Sequence, residues 1–280
     1  MHARIGILAV SIQIAGTVLF PVAESLADAR YSDDTMERKS FHFIIRYHQE
    51  VTPSFLNRLV DQAEDCYNSI SRDFHFFRDD PWVWDNRAVI YVYKDRDAYL
   101  KATGMPEWSW AAAKPHQKEV HTFNGAWEVF RYALVHELTH LIFREYIGMY
   151  SDVPLCFDEG AAVYMERRNE RDAIARQVRS ILKSDDRISL RELLQTGFSD
   201  LQTDVRSASG LSGQDYVKAF YLESFGLINF LLEKYDRFKF STFARKMRDG
   251  LSFENAFFQA YRLLRTWDDV EKEWLRFYEK

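Results

Sequence analysis

The stretch from His136 to Glu159 constrains this chain more than any other. It opens inside a run from Trp127 to Phe143 that holds no Gly or Pro and alternates apolar with polar residues at helical spacing. Residues four apart on a helix share a face, so His136 and His140 point the same way. Two imidazoles so placed can both reach one zinc ion, each through a ring nitrogen at about 2.0–2.1 Å. Glu137 follows the first histidine and falls to the side, where it can address water without ligating the metal. A third protein ligand is then needed, with a fourth position open.

The spacing predicts that this helix runs through Ile147 and stops at Gly148. A loop over Met149–Pro154 follows, and a second helix is expected to begin near Phe157, with Glu159 on its first turn. Gly160, Ala161 and Ala162 let that helix pack close to the first, and the loop can return the chain antiparallel. His136, His140 and Glu159 then form a zinc set, with Asp158 and Glu166 as alternative carboxylates for orienting the imidazoles. Against this stands the plainer reading, that histidines on an apolar helix face are core residues. Helical context, apolar flanks and the Glu-Gly-Ala-Ala start coincide here, and together they outweigh it.

On these residues the chain resembles the gluzincin metallopeptidases of the peptidase MA clan. Their pattern is H-E-x-x-H followed by a Glu in an N/D-E-G-x-A setting. Eighteen residues separate His140 from Glu159, as in that pattern, and the setting reads Asp158-Glu159-Gly160-Ala161-Ala162. Within the clan it looks most like the small peptidase MA-like domain proteins. It departs where the family commonly has Trp in P-x-W-x-x-E-G, since Cys156 stands there; that touches packing more than chemistry. The tail is similar too, through Tyr221, Ser224 and Phe225, then Glu254, Ala256 and Phe257, and finally Trp274.

The resemblance covers nearly the whole mature chain and carries several implications. The fold is expected to be α+β and zincin-like, a small N-terminal mixed sheet over the active-site helix followed by a C-terminal helical subdomain. One Zn2+ would be held by His136, His140 and Glu159, with Glu137 as general base in peptide-bond hydrolysis. Tyr221 is the candidate oxyanion donor, a packed core tyrosine being the alternative. A peptide or protein substrate is implied. The G-x-M-E-N segment of the clan's aminopeptidases does not occur, which points to an endopeptidase. Two rival classes remain: a binding protein that keeps the fold without turnover, and a zinc hydrolase acting on something other than peptides.

The rest of the chain is read in order. Met1 to Arg4 gives a positive lead and Ile5 to Ala23 is mostly apolar, as in a secretory signal cleaved after Ala27 or Ala29. An uncleaved N-terminal anchor is the alternative, and no later segment offers a membrane span. Export to the periplasm or outside the cell follows from either. Boundaries are placed at 1–29 for the signal, 30–39 for a flexible lead-in, 40–147 for the α/β part with the active-site helix, and 148–280 for the helical part. The formal net charge of −5 argues against a nucleic-acid partner. Cys66 and Cys156 could bond in an oxidising compartment or stay buried thiols.

Strands are expected at Ser40–His48 and Ala88–Tyr93, with a helix opened by Pro53 between them. A substrate-pairing edge strand, implied by the resemblance, falls to Trp108–Ala113 or to Glu119–Phe123. His116 and His121 read as ordinary loop or strand residues. Helices are expected over Glu166–Lys183, Ile188–Leu194, and most of Tyr216–Lys280, with a long loop over Phe198–Gln214.

Overall fold

The protein's computed structural model describes residues 34–78, 80–202 and 210–279. The signal segment and the middle of the expected 198–214 loop lie outside these. Five strands form one mixed sheet in the order β1-β2-β3-β5-β4, with β1 Thr35–Lys39, β2 Phe43–His48, β3 Ala88–Tyr93, β4 Ala111–Lys114 and β5 Glu119–Phe123. β2, β3 and β5 run parallel to one another, while β1 and β4 pair antiparallel at the two edges. The expected lead-in is thus corrected from Thr35 onwards. Four of its five residues are polar, Met36 being the exception, as suits an edge strand, since charged edges resist further pairing; hydrophobic patterning could not reveal it.

Alternation along the central strands gives the sheet one apolar face. Phe43, Ile45, Ala88, Ile90, Val92 and Val120 are buried in the core, packed with α1 (Pro53–Asp73) and α3 (Trp127–Ile147). Thr52 caps α1 by accepting from the Phe55 N–H, and Pro53 occupies the first turn, where its missing N–H costs nothing. Asp95 caps α2 (Arg96–Thr103) in the same way. On the sheet's other face, Arg46 donates to the Tyr91 hydroxyl at 2.9 Å, and His121 lies 3.1 Å from both the Tyr93 hydroxyl and Glu119. Cys66 and Cys156 are both buried and free, so the disulfide alternative is set aside. Burial pushes the Cys66 thiol up to about 12.

The helical part is built around α4 (Leu155–Glu166), whose twelve residues are all buried. It lies between α3 and α8 (Gly213–Lys234). Gly160 makes the approach to α8 possible, since a Cβ there would overlap the Ser224 carbonyl. α4 begins two residues earlier than expected, at Leu155 after Pro154, so Glu159 sits in its second turn rather than its first. The expected helix over Glu166–Lys183 is also corrected: Glu166 ends α4, a single 3-10 turn spans Arg168–Glu170, and α5 is Arg171–Leu182. Two short helices, α6 (Leu190–Gln195) and α7 (Phe198–Gln202), precede α8, so the expected loop is helical at its start. α9 (Arg237–Arg248), α10 (Phe253–Ala260) and α11 (Trp267–Glu279) close the core, with Phe253 stacked on Trp267 at 5.4 Å. No helix among the described residues is long and apolar enough to cross a membrane.

Candidate active site

Two adjacent helices supply the site. α3 ends at Gly148, whose φ of 103° suits glycine, and the short loop to Pro154 sends α4 back along it. His136 and His140 lie one turn apart on the buried face of α3, and Glu159 reaches them from α4. Their ligand atoms all fall within 4.8 Å of one another, the one such group of three or more among the described residues.

The fit to a cation rests on what these atoms lack. His136 Nε2, His140 Nε2 and both Glu159 oxygens are buried and make no hydrogen bond among the described residues. Glu159 Oε2 lies 3.3 Å from His136 Nε2 and 3.7 Å from His140 Nε2, yet neither approach is aligned as a hydrogen bond. Buried polar atoms are ordinarily satisfied, because stripping water from an unpaired one costs about 1–3 kcal/mol. A ligand atom from each of the three residues, close together and without a hydrogen bond, therefore suits a metal ion, and the two-nitrogen, one-carboxylate set is what zinc takes in open sites.

Each imidazole is oriented from behind. His140 Nδ1 lies 2.8 Å from Asp158 Oδ1, and His136 Nδ1 lies 2.9 Å from Glu166 Oε2. Both alternatives offered by the sequence are used, one per histidine. Behind these stand two guanidiniums. Arg144 Nε donates to Asp158 Oδ2 at 2.6 Å, and Arg167 Nε forms an ion pair with Glu166 Oε1 at 3.0 Å. Arg144 and Arg167 thus offset the charges of Asp158 and Glu166, the two carboxylates that orient the imidazoles.

Titration follows the same balance. Burial pushes the His136 imidazole down, but the carboxylates of Glu159 and Glu166 outweigh it and hold its pKa well above the ordinary value. His140 is likewise raised, by Asp158 and Glu159 acting against burial. Burial works against the Asp158 carboxylate too, and Arg144 with His140 overcomes it to bring the group to about 2.

Glu137 is fully buried beside His136, and its Oε2 accepts from the Ala113 main-chain N–H at 2.7 Å. That contact brings β4, the edge strand of the sheet, against the active-site helix. Tyr221, on α8, is 5% exposed. Burial first, then the charges of Glu159, Glu166 and Glu137, hold its phenol protonated well beyond the usual range, so it keeps a proton to donate at neutral pH. His116 lies away from the group, its ring 5.1 Å from that of Tyr150, and His121 stays on the sheet. Sequence reasoning missed Arg144, Arg167 and the Ala113 amide. Arg144 was findable, being four residues beyond His140 on the same helix face; a main-chain donor leaves no mark on the sequence.

A family model described as the Peptidase MA superfamily matches residues 85–279, which include every residue of this site. No curated protein matches the chain. Among solved structures it is similar to a native yeast LTA4 hydrolase, at a TM-score of 0.48 and 14% identity over 86% of this chain and 38% of that one. It is also similar to the native leukotriene A4 hydrolase of Saccharomyces cerevisiae, at 0.49 and 13% over 86% and 39%. The chain therefore spans about two fifths of the length of those proteins.

Proposed function

The chain belongs to the Peptidase MA superfamily, and from that premise we propose a zinc-dependent hydrolase that cleaves peptide bonds as an endopeptidase. His136, His140 and Glu159 would hold the metal. The observation that carries this is that the three residues bring buried ligand atoms without hydrogen bonds within 4.8 Å of one another. When bound, zinc supplies Lewis acidity, making water acidic enough to attack near neutral pH and polarising a carbonyl.

The chain's own residues supply the rest. Glu137 takes the proton from the attacking water and returns it to the leaving nitrogen, a general base and then an acid. Asp158 and Glu166 accept from the two Nδ1–H groups, which fixes the tautomer that leaves each Nε2 as a ligand. Tyr221 donates to the oxyanion as it forms. The sheet edge at β4 receives an extended substrate chain. Export, by a cleaved signal or an N-terminal anchor, completes the reading.

Two measurements test it. Elemental analysis should find one zinc per wild-type chain and a loss of it in Glu159→Ala; a metal-free wild type, even after zinc is supplied, refutes the site. Peptide-library cleavage should fall by several orders of magnitude in Glu137→Gln while its zinc and fold remain. A variant that keeps most of its rate removes Glu137 from the mechanism.

A further inference from the structure

The sheet edge nearest the site is not an open ladder. β4 pairs antiparallel with β5, Ala112 facing His121 and Ala113 facing Val120. In such a pair, successive residues turn their N–H and C=O groups alternately towards the partner and away from it. Because the Ala113 N–H goes to Glu137 on α3, residues 111 and 113 are the ones whose main-chain groups face away from β5. The Ala111 carbonyl already accepts from Ser109 Oγ at 3.0 Å. An incoming strand would ordinarily bond to such outward groups. Here one of its docking points, the Ala113 N–H, is held by the residue read as the base.

We infer that the Ala113 main-chain N–H is a positioning group: it anchors one Glu137 oxygen, aims the other at the reacting water, and sets the substrate's register against β4. This rests on the hydrolase reading above. The bond length of 2.7 Å is that of a charge-assisted hydrogen bond, and Glu137 is 0% exposed, so little water competes for it. With Oε2 committed to Ala113, proton transfer falls to Oε1. A carboxylate tied at one oxygen keeps its direction, whereas a freely rotating one must be oriented at each turnover. The substrate consequence is specific. An extended peptide lies along β4 with its scissile bond opposite Ala113, and it makes no hydrogen bond to that N–H.

The test removes one hydrogen atom's worth of function. Ala113→Pro deletes the N–H at an edge-strand position outside the ladder, where proline is tolerated. Wild type and variant, both checked for zinc content, are compared on a cleaved peptide. The expected result is an unchanged KM and a kcat lowered by roughly 10- to 100-fold, the range for losing a hydrogen bond to a charged group. A raised KM with kcat intact overturns the inference, since the N–H would then bind substrate; so does an unchanged rate. If the proline lowers zinc content or melting temperature, an ester in place of the Ala112–Ala113 peptide bond repeats the comparison under the same criteria. A second readout needs no activity: in the metal-free chain the Ala113 amide proton should resonate downfield and move upfield in Glu137→Ala, and an unmoved resonance overturns the contact. A wild type that binds zinc and cleaves nothing refutes the hydrolase reading and the role inferred here, whereas an active wild type with an indifferent Ala113→Pro refutes this inference alone.

Discussion

Replacing Glu223 with Gln should stabilise the protein, and by more as the pH rises. Glu223 lies on α8, two residues beyond Tyr221, and is fully buried. Its Oε1 accepts from the Ile188 N–H at 2.9 Å, while Oε2 makes no hydrogen bond among the described residues. Burial is the main influence on it; the Ile188 bond and Arg187 pull the other way, and Glu192 and Glu271 add to the burial. Together they raise the group from its ordinary 4.5 to about 8. The folded protein therefore keeps a proton that the unfolded chain releases above its own, lower pKa. Folding takes up that proton throughout the window between the two values, so stability falls as pH rises through it and levels off above the folded value. By linkage the loss is about 1 kcal/mol at pH 5, about 3 at pH 7 and about 5 by pH 9. Gln stays neutral throughout and keeps an oxygen for Ile188. Urea or thermal unfolding at these three pH values, with both proteins free of metal, should show the gap between them widening. At 2–4 °C for each kcal/mol, roughly the scale for a chain of this size, the variant should melt about 10–20 °C above wild type at pH 9. A gap that stays constant, or a wild type that gains on the variant at high pH, refutes the reasoning.

Three further outcomes follow from the site. Gly160→Ala places a methyl group against the Ser224 carbonyl, which should cost about 1–3 kcal/mol by overpacking and weaken zinc binding by moving Glu159; unfolding and zinc titration both read it, and an unchanged pair of values refutes the close approach. Asp158→Asn should weaken zinc roughly 10- to 100-fold in a chelator competition, and an unchanged affinity would mean that His140 needs no carboxylate behind it. Tyr221→Phe should keep fold and zinc and lower kcat by about 100- to 1000-fold with little effect on KM; full activity makes it a core residue.

What the sequence disclosed depends on where each feature's information lies. The active-site helix was legible because its apolar flanks and its histidine spacing share one period, and Gly148 marks its end. The central strands were legible for the same reason, through runs such as Ala88–Tyr93. β1 was not, since the polarity that protects a sheet edge is also the polarity of a linker. The join between α4 and α5 was missed because Arg167 to Glu170 is polar and free of Gly and Pro, so nothing in composition marks the 3-10 turn there. The start of α4 was placed late because Pro154 acts as its N-cap without a side-chain bond. The choice between β4 and β5 for the edge is a fact of strand order, which is set by long-range packing.

The pairing of carboxylates with histidines looks arbitrary along the chain but follows from helix direction. α4 returns antiparallel to α3, so the later histidine, His140, meets the early α4 residue Asp158, and the earlier one, His136, meets the late residue Glu166. The histidines are four residues apart, about 6 Å along an axis, while the two carboxylates are eight apart, about 12 Å. They therefore bracket the imidazoles from outside, reaching each ring at its Nδ1. Glu159 enters between them, close to both Nε2 atoms. Glu166 lies seven residues on from Glu159, nearly two full turns, so ligand and orienting group share one face of α4. One buried helix thus carries the proposed third ligand and both orienting groups, so on that proposal its distance from α3 is a determinant of metal affinity. Gly160 permits the close packing on α8 that backs α4, so the small residue after Glu159 helps set where that carboxylate stands.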